Sequence, residues 1–227
     1  MEKLTSPFEI IKNSWEVFTK KQNFVYLVKI YSPIGFLTLI SLAFAYVPFF
    51  VKFFETSMGD AVMLIFNILF IAFAIFINLS GIIAVMGILD GKVLQVRSVY
   101  EKAFSKYGKF FLLTIVIFSL YILGLILLIV PLILFIAWFS FTEFVYVEKE
   151  TGINASLTES KKLVKGRFWK IFWRISMFGL FSVLSQIILT FLPYEIGTIT
   201  FNLIGALYLI PQILLYREVS SKGAVNG

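Results

Sequence analysis

The sequence predicts an all-α fold, a polytopic membrane helix bundle with six transmembrane helices and short amphipathic interfacial helices. Three observations support this prediction. The 227-residue chain is 59% hydrophobic and only 15% charged, its mean hydropathy is +0.93, and it contains several long stretches without a charged residue. Soluble domains carry roughly 25% charged and 45–50% apolar residues, so this composition excludes a soluble globular domain and a disordered chain.

Long stretches without Asp, Glu, Lys or Arg define the spans, and they cover residues 30–51, 61–89, 110–142, 175–194 and 196–216. A spanning helix needs about 20 apolar residues, so four of these stretches fit one span each. The third stretch would form a helix about 50 Å long, whereas the hydrocarbon core is about 30 Å thick. Gly124 and Pro131 lie near its middle, and proline favours a break. We therefore predict a hairpin of two helices, 107–126 and 130–147, and six spans in all.

Basic residues indicate the orientation. Apart from Lys52, the lysines and arginines fall before the first span, between the second and third, between the fourth and fifth, and after the sixth. Six spans place these four regions on one side, which the positive-inside rule identifies as the cytoplasm; five spans would place the most basic connector outside. The other side receives Lys52 with Glu55, Asp60 and Glu195. We predict one integral membrane domain over residues 1–227 in the cell membrane, with cytoplasmic N- and C-termini and the first span as an uncleaved anchor.

An internal repeat is suggested by an S-x-x-E pattern at residues 6–9, 98–101 and 156–159. This pattern is typical of a capping box, in which serine and glutamate side chains bind free backbone amides at a helix start. Each copy precedes two spans, which gives repeat units of about 6–89, 98–147 and 156–216. The alternative is a coincidence among ordinary helix starts.

Amphipathic segments follow these patterns. Phe8, Ile11, Trp15 and Phe18 fall at helical spacing on one face, and Tyr100, Phe104, Tyr107 and Phe111 repeat that spacing. An aromatic face opposite a basic polar face favours a helix that lies in the membrane interface. The alternative is that these faces pack on the ends of the spanning bundle.

One region has a familiar pattern. It reads LLIVP at 127–131, Trp138, FVYVE at 144–148, SLTES at 156–160 and LVKG at 163–166. These segments resemble the membrane domain found beside some glycerophosphoryl diester phosphodiesterases and related stand-alone polytopic proteins of uncharacterised role. Leu132 replaces the glycine usual in that family, and Glu143 replaces an apolar residue or proline. The resemblance implies architecture and no catalytic residue, because the phosphodiesterase chemistry of such fusions lies in a separate soluble barrel.

Intramembrane polar residues are the next candidates. A carboxylate in hydrocarbon costs several kcal/mol unless it is paired, hydrated or protonated. Glu143 therefore lies in the headgroup zone, pairs with Lys29 or a connector lysine, or has a ligand or proton role. Small and amide side chains on the spans favour interhelical hydrogen bonds and close packing, and the alternative is a polar cavity of a transporter. The amide candidates are Asn67 and Asn78 on one face of the second span, Gln186 on the fifth, and Asn202 and Gln212, which flank Gly205, on the sixth.

Basic and aromatic residues alternate near the span ends. Basic side chains attract anionic headgroups by about 1 kcal/mol each, and tryptophan anchors the interface. Arg167, Lys170 and Arg174 have helical spacing and form the main predicted patch. The full set of predicted headgroup or interface residues is Trp15, Lys20, Lys21, Lys106, Lys109, Lys165, Arg167, Trp169, Lys170, Trp173 and Arg174.

The chain has no histidine and no cysteine, which excludes imidazole and thiolate chemistry. It also lacks a Walker-type glycine loop, the HExxH and G-x-S-x-G motifs, and paired carboxylates at a workable spacing within one span. We therefore predict no metal, no cofactor and no nucleic-acid partner; the net charge of +7 follows from the orientation. The predicted role is non-enzymatic, as a lipid-contacting or accessory scaffold protein with anionic lipids, a partner membrane protein or a second copy as partners. The alternatives are a small transporter or channel that uses Glu143 and the amides, and an intramembrane enzyme.

Overall fold

The computed structural model describes residues 4–46, 52 and 55–223, and for residues 42–46, 194, 195 and 223 it describes the backbone alone. The structure is 87% helical, with no strand in the described residues, which confirms the fold class. Ten helices lie in these ranges: α1 Pro7–Thr19, α2 Lys21–Tyr46, α3 Ser57–Leu89, α4 Val96–Ile126, α5 Ile129–Phe139, α6 Thr142–Lys149, α7 Ile153–Val164, α8 Phe168–Leu189, α9 Tyr194–Leu203 and α10 Gly205–Gly223.

Six segments of the described chain are long and apolar enough to cross a membrane, as predicted. They are Lys21–Ser41, Ser57–Leu89, Val96–Ile126, Ile129–Lys149, Phe168–Leu189 and Ile196–Lys222. The end of the first predicted span, residues 47–51, lies outside the described residues. Of the residues expected at the opposite side, Lys52 is exposed, and Glu195 lies in α9 without a described side chain.

The predicted hairpin is confirmed, since α4 ends at Ile126 and α5 begins at Ile129. Leu128 has a positive φ of +86° and lies in the turn that reverses the chain. Gly124 faces the backbone of Leu132 so closely that a Cβ atom would lie 2.9 Å from its Cα. The absence of a side chain at Gly124 therefore lets the two helices meet at their turn.

The helix expected over 130–147 is instead broken, because α5 ends at Phe139 and α6 begins at Thr142. Ser160 of α7 satisfies the broken backbone: its hydroxyl accepts from the Phe141 amide at 3.2 Å and donates to the Trp138 carbonyl at 2.7 Å. Ser160 is fully buried. Irregular backbone at this depth is tolerated because protein groups replace the lost helical hydrogen bonds.

The serine half of the predicted capping box is confirmed once and wrong twice. Ser6 caps α1 and accepts from the Glu9 amide at 3.2 Å. By contrast, α4 begins after Gln95, so Ser98 lies inside the helix. The α7 helix begins after Gly152, and the hydroxyl of Ser156 donates back to the Gly152 carbonyl. The threefold repeat therefore remains unconfirmed.

The second predicted interfacial helix does not exist as a separate element, because α4 is continuous from Val96 to Ile126. Its tyrosines bind neighbouring helices instead: the Tyr100 hydroxyl donates to the Ile30 carbonyl at 2.9 Å, and the Tyr107 hydroxyl donates to the Ala72 carbonyl at 2.7 Å. The aromatic face of this segment thus packs partly on the bundle, which was the alternative given above.

The centre of the bundle is built around Tyr31 of α2, which is buried. Its ring lies between two glycines. A Cβ atom would lie 2.9 Å from the ring Cζ at Gly81 of α3 and 2.8 Å from the ring Cε1 at Gly205 of α10. Gly205 therefore makes room for the ring of Tyr31, so a side chain rather than the backbone of a neighbouring helix packs against it.

The four basic regions meet at one end of the bundle, which we call the basic end. Thr5 donates to Glu218 through its amide at 2.8 Å, and Arg217 pairs with Asp90 at 2.9 Å. Lys106 pairs with Glu150 at 2.6 Å. These contacts join the segments before the first span, between the second and third, between the fourth and fifth, and after the sixth, as six spans require.

Candidate functional site

Helix α1 lies against the basic end with one side on protein and one side free. It packs on α10, α2 and α8 and buries Ile10, Ser14 and Phe18, while Phe8 and Trp15 are 70% and 54% exposed. The expectation that Phe18 shares the outer face with Phe8 and Trp15 is therefore wrong. Its ring packs edge-on against Phe24 at 5.5 Å.

Arg174 was predicted to bind lipid headgroups, and this prediction is wrong. Its side chain is 9% exposed and donates to the backbone carbonyls of Leu4, Thr5 and Lys170 at 2.7–2.8 Å. A guanidinium has five donors and no acceptor, so it can satisfy several carbonyls at once. Arg174 therefore fixes the segment before α1 to α8.

Arg167 has a similar structural role. It donates to the carbonyls of Val219 at 3.4 Å and Lys222 at 3.2 Å, in the last turn of α10. The free carbonyls of a helix C-terminus favour a cation. The main predicted basic patch therefore loses two of its three members to backbone contacts, and the third, Lys170, is half-buried.

The remaining interface predictions are compatible with a lipid surface. Trp169 and Trp173 are 72% and 61% exposed. The lysines predicted for headgroups divide into two classes. Lys106 is half-buried and donates to Glu150 and to the Val147 carbonyl. The exposed lysines, which form no ion pair among the described residues, are Lys20, Lys21, Lys109 and Lys165.

Two ion pairs in the connector after α6 change the titration of their carboxyls. The hydrogen bond from Lys106 holds the pKa of Glu150 below its usual value. The hydrogen bond from Lys149, at 2.8 Å, lowers the pKa of Glu159 in the same way. Opposite charge favours the ionised carboxylate, so these pairs persist at neutral pH.

A polar network missed by the sequence analysis joins three spans at the basic end. Arg217 of α10 pairs with Asp90, which follows α3, and with Glu148 of α6. The other oxygen of Glu148 accepts from the Tyr216 hydroxyl. The sequence offered one signal for this network, which is the position of its residues at the ends of spans. It could not identify the partners, because they are far apart along the chain.

Glu143 lies where α6 begins, beside the break in the fourth span. Its carboxylate accepts from the Asn78 amide of α3 at 3.1 Å and from the Thr114 hydroxyl of α4 at 3.4 Å. Among the described residues no ion pair includes Glu143, so the expected pairing with Lys29 or a connector lysine is wrong. Thr114 was missed because threonine is common in spanning helices and its hydroxyl also bonds the Phe110 carbonyl.

The other amides do not form one polar path with Glu143. Asn67 is exposed and donates to the Met63 carbonyl of its own helix, so it does not join Asn78. Asn202 donates to the Thr38 hydroxyl at 2.9 Å, and Gln212 donates to the Tyr208 carbonyl. Gln186 lines a small cavity of about 140 Å³ near the turn between α8 and α9. Of the five predicted amides, Asn78 and Asn202 have a described hydrogen bond to another helix, as the packing interpretation requires.

In the part of the chain that the structure describes, no three His, Cys, Asp or Glu side chains are grouped to hold a metal ion. Comparisons of the chain with protein-family models, curated proteins and solved structures find no match. The resemblance of residues 127–166 to the phosphodiesterase-associated membrane domain therefore stays a prediction.

Proposed function

We propose that this protein is a non-enzymatic, lipid-contacting accessory protein of the cell membrane, whose basic end faces the cytoplasm and contacts anionic headgroups. The observation that carries the proposal is the outer side of the basic end, where Phe8, Trp15, Trp169 and Trp173 are all more than half exposed. Large aromatic side chains exposed beside lysines are typical of the membrane–water interface.

The exposed lysines supply the headgroup contacts. Lys20, Lys109 and Lys165 are exposed, and each lies within a few residues of an aromatic side chain of the spans or of α1. A lysine near an anionic surface contributes about 1 kcal/mol of attraction. Arg167 and Arg174 are left out of the proposed contacts because the structure shows their guanidinium groups donating to backbone carbonyls of the protein.

The test compares lipid preference in nanodiscs that contain equal amounts of phosphatidylglycerol and phosphatidylcholine. After transfer to detergent, native mass spectrometry counts the lipids retained by each variant. We expect wild type to retain mainly phosphatidylglycerol, and the triple variant K20Q/K109Q/K165Q to lose most of that preference because three cationic contacts are removed. The control K52Q changes one exposed lysine at the opposite side and leaves the preference unchanged. Equal retention of both lipids by wild type would overturn the proposal.

A second candidate function, a small transporter or channel, is favoured by one observation. Glu143 lies at a helix break and accepts hydrogen bonds from Asn78 and Thr114, and no ion pair within the described chain includes it. Carboxylates beside broken spans often form ion or proton sites. Reconstituted vesicles with an internal pH dye test this function. A proton flux in wild type that is lost in E143Q would favour it, and no flux in either protein would reject a proton role.

A further inference from the structure

A cavity of about 690 Å³ lies at the basic end, between α2 and the start of α4. Its walls include Lys21, Tyr26 and Lys29 of α2, and Leu94, Gln95 and Val96 at the turn into α4. Residues 21 and 29 are separated by about 12 Å along a helix. The cavity therefore extends from the helix start toward the membrane along the side of the first span.

The charge in this cavity is positive. Lys21 and Lys29 are both exposed, and within the described chain neither forms an ion pair. No carboxylate belongs to the cavity wall. Two ammonium groups without a counter-charge in one concave site favour an anionic ligand with several oxygen acceptors.

Backbone groups add to this preference. Helix α4 has Gln95 as its N-cap without a side-chain capping bond, so the first amides of the helix have no intrahelical acceptor. The N-terminus of a long helix also carries a partial positive charge. Gln95 and Val96 line the cavity, which places this end of α4 opposite the two lysines.

The wall between the two helices is fixed in place. The Tyr100 hydroxyl of α4 donates to the Ile30 carbonyl of α2 at 2.9 Å. The Tyr26 hydroxyl is buried in the wall and has no hydrogen-bond partner among the described residues. A buried hydroxyl without a partner costs free energy, but this atom is shielded from the cavity, so the ligand contacts proposed below are those of the lysines and the first amides of α4.

We propose that this cavity binds the phosphate of an anionic phospholipid through Lys21, Lys29 and the first amides of α4, a site that rests on the lipid-contacting function proposed above. A lipid rather than free phosphate is favoured by the apolar rim. Val25, Leu94 and Val96 line the cavity beside the two lysines, and Val25 is 44% exposed, so acyl chains would find apolar side chains next to the charged groups. The site gives the protein one specific lipid in addition to the general attraction of its basic end.

The test uses the full-length protein purified in detergent with phosphatidylglycerol, and native mass spectrometry to measure the fraction that keeps one lipid as the detergent concentration rises. We expect K21Q/K29Q to bind this lipid about 30-fold less tightly than wild type, because two cationic contacts are lost. The control K102Q/K162Q removes the same charge from two exposed lysines outside the cavity and keeps the lipid. Thermal unfolding of all proteins checks that the variants are folded.

Separate outcomes distinguish this site from the general function. If K21Q/K29Q and K102Q/K162Q lose lipid equally, the cavity proposal is overturned while general lipid contact stands. If wild type does not prefer phosphatidylglycerol to phosphatidylcholine, both proposals fall. In a further arm, inorganic phosphate is added at millimolar concentration. If phosphate displaces the lipid from wild type but not from K21Q/K29Q, the phosphate site is supported. If phosphate raises the thermal unfolding temperature of wild type but wild type retains no lipid, the lipid assignment is overturned.

Discussion

The arginines and the lysines of the basic end have different surroundings. Arg167, Arg174 and Arg217 bind backbone carbonyls or carboxylates of other helices, whereas Lys20, Lys21, Lys109 and Lys165 are exposed and form no ion pair within the described chain. Arg97 is an exception, with an exposed partner, Glu101, one turn away. A planar guanidinium serves several acceptors and is weakly hydrated, while an ammonium is a compact and strongly hydrated charge. These three arginines therefore hold segments of the bundle together, whereas the four lysines named above stay exposed, as the proposed lipid contacts require. Lys106, Lys149 and Lys222 are exceptions among the lysines, since each pairs with a glutamate.

The largest expected effect is the loss of Arg174. Because R174Q removes three donors from the carbonyls of Leu4, Thr5 and Lys170, we expect the free energy of unfolding to fall by about 3 kcal/mol. Denaturant unfolding in detergent measures this change. The matched control K165Q removes an exposed charge near the same helix and should change stability by less than about 0.5 kcal/mol. Equal effects of the two substitutions would contradict the division between arginines and lysines.

A smaller effect is expected for Arg217, whose side chain is about one-third exposed. R217Q leaves Glu148 and Asp90 without their shared cation, and solvent reduces the cost to about 1–2 kcal/mol. Adding D90N to R217Q removes one of the two unpaired carboxylates and should recover part of the loss. If D90N instead destabilises R217Q as much as it destabilises wild type, Asp90 and Arg217 are not coupled.

Features determined by local sequence could be predicted. The six spans follow from composition, the hairpin follows from Gly124 and Pro131, and the cap at Ser6 is reinforced by Pro7 at the first helical position. The caps at Ser98 and Ser156 were wrong because the helices extend further upstream, to Val96 and Ile153. A capping pattern does not fix the helix start when the preceding residues are also helical.

Features determined by distant contacts could not be predicted. The acceptors of Arg174 lie near the N-terminus, and the partner of Glu143 on α3 is 65 positions away. The break after Phe139 contains neither glycine nor proline, and it depends on Ser160, which is 19 residues beyond Phe141. Charge patterning thus located the basic end but could not separate the cations that stay exposed from those that bind protein.

The most direct test of this account is labelling of single cysteines, since the chain has no cysteine of its own. The variants K20C, K109C and K165C are exposed to an impermeant maleimide in vesicles of known orientation, with K52C as the opposite reference. We expect the three lysine positions to react only from the cytoplasmic face and K52C to react only from the other face. Reaction of K109C and K165C from opposite faces would contradict the single basic end and, with it, the proposed lipid contacts.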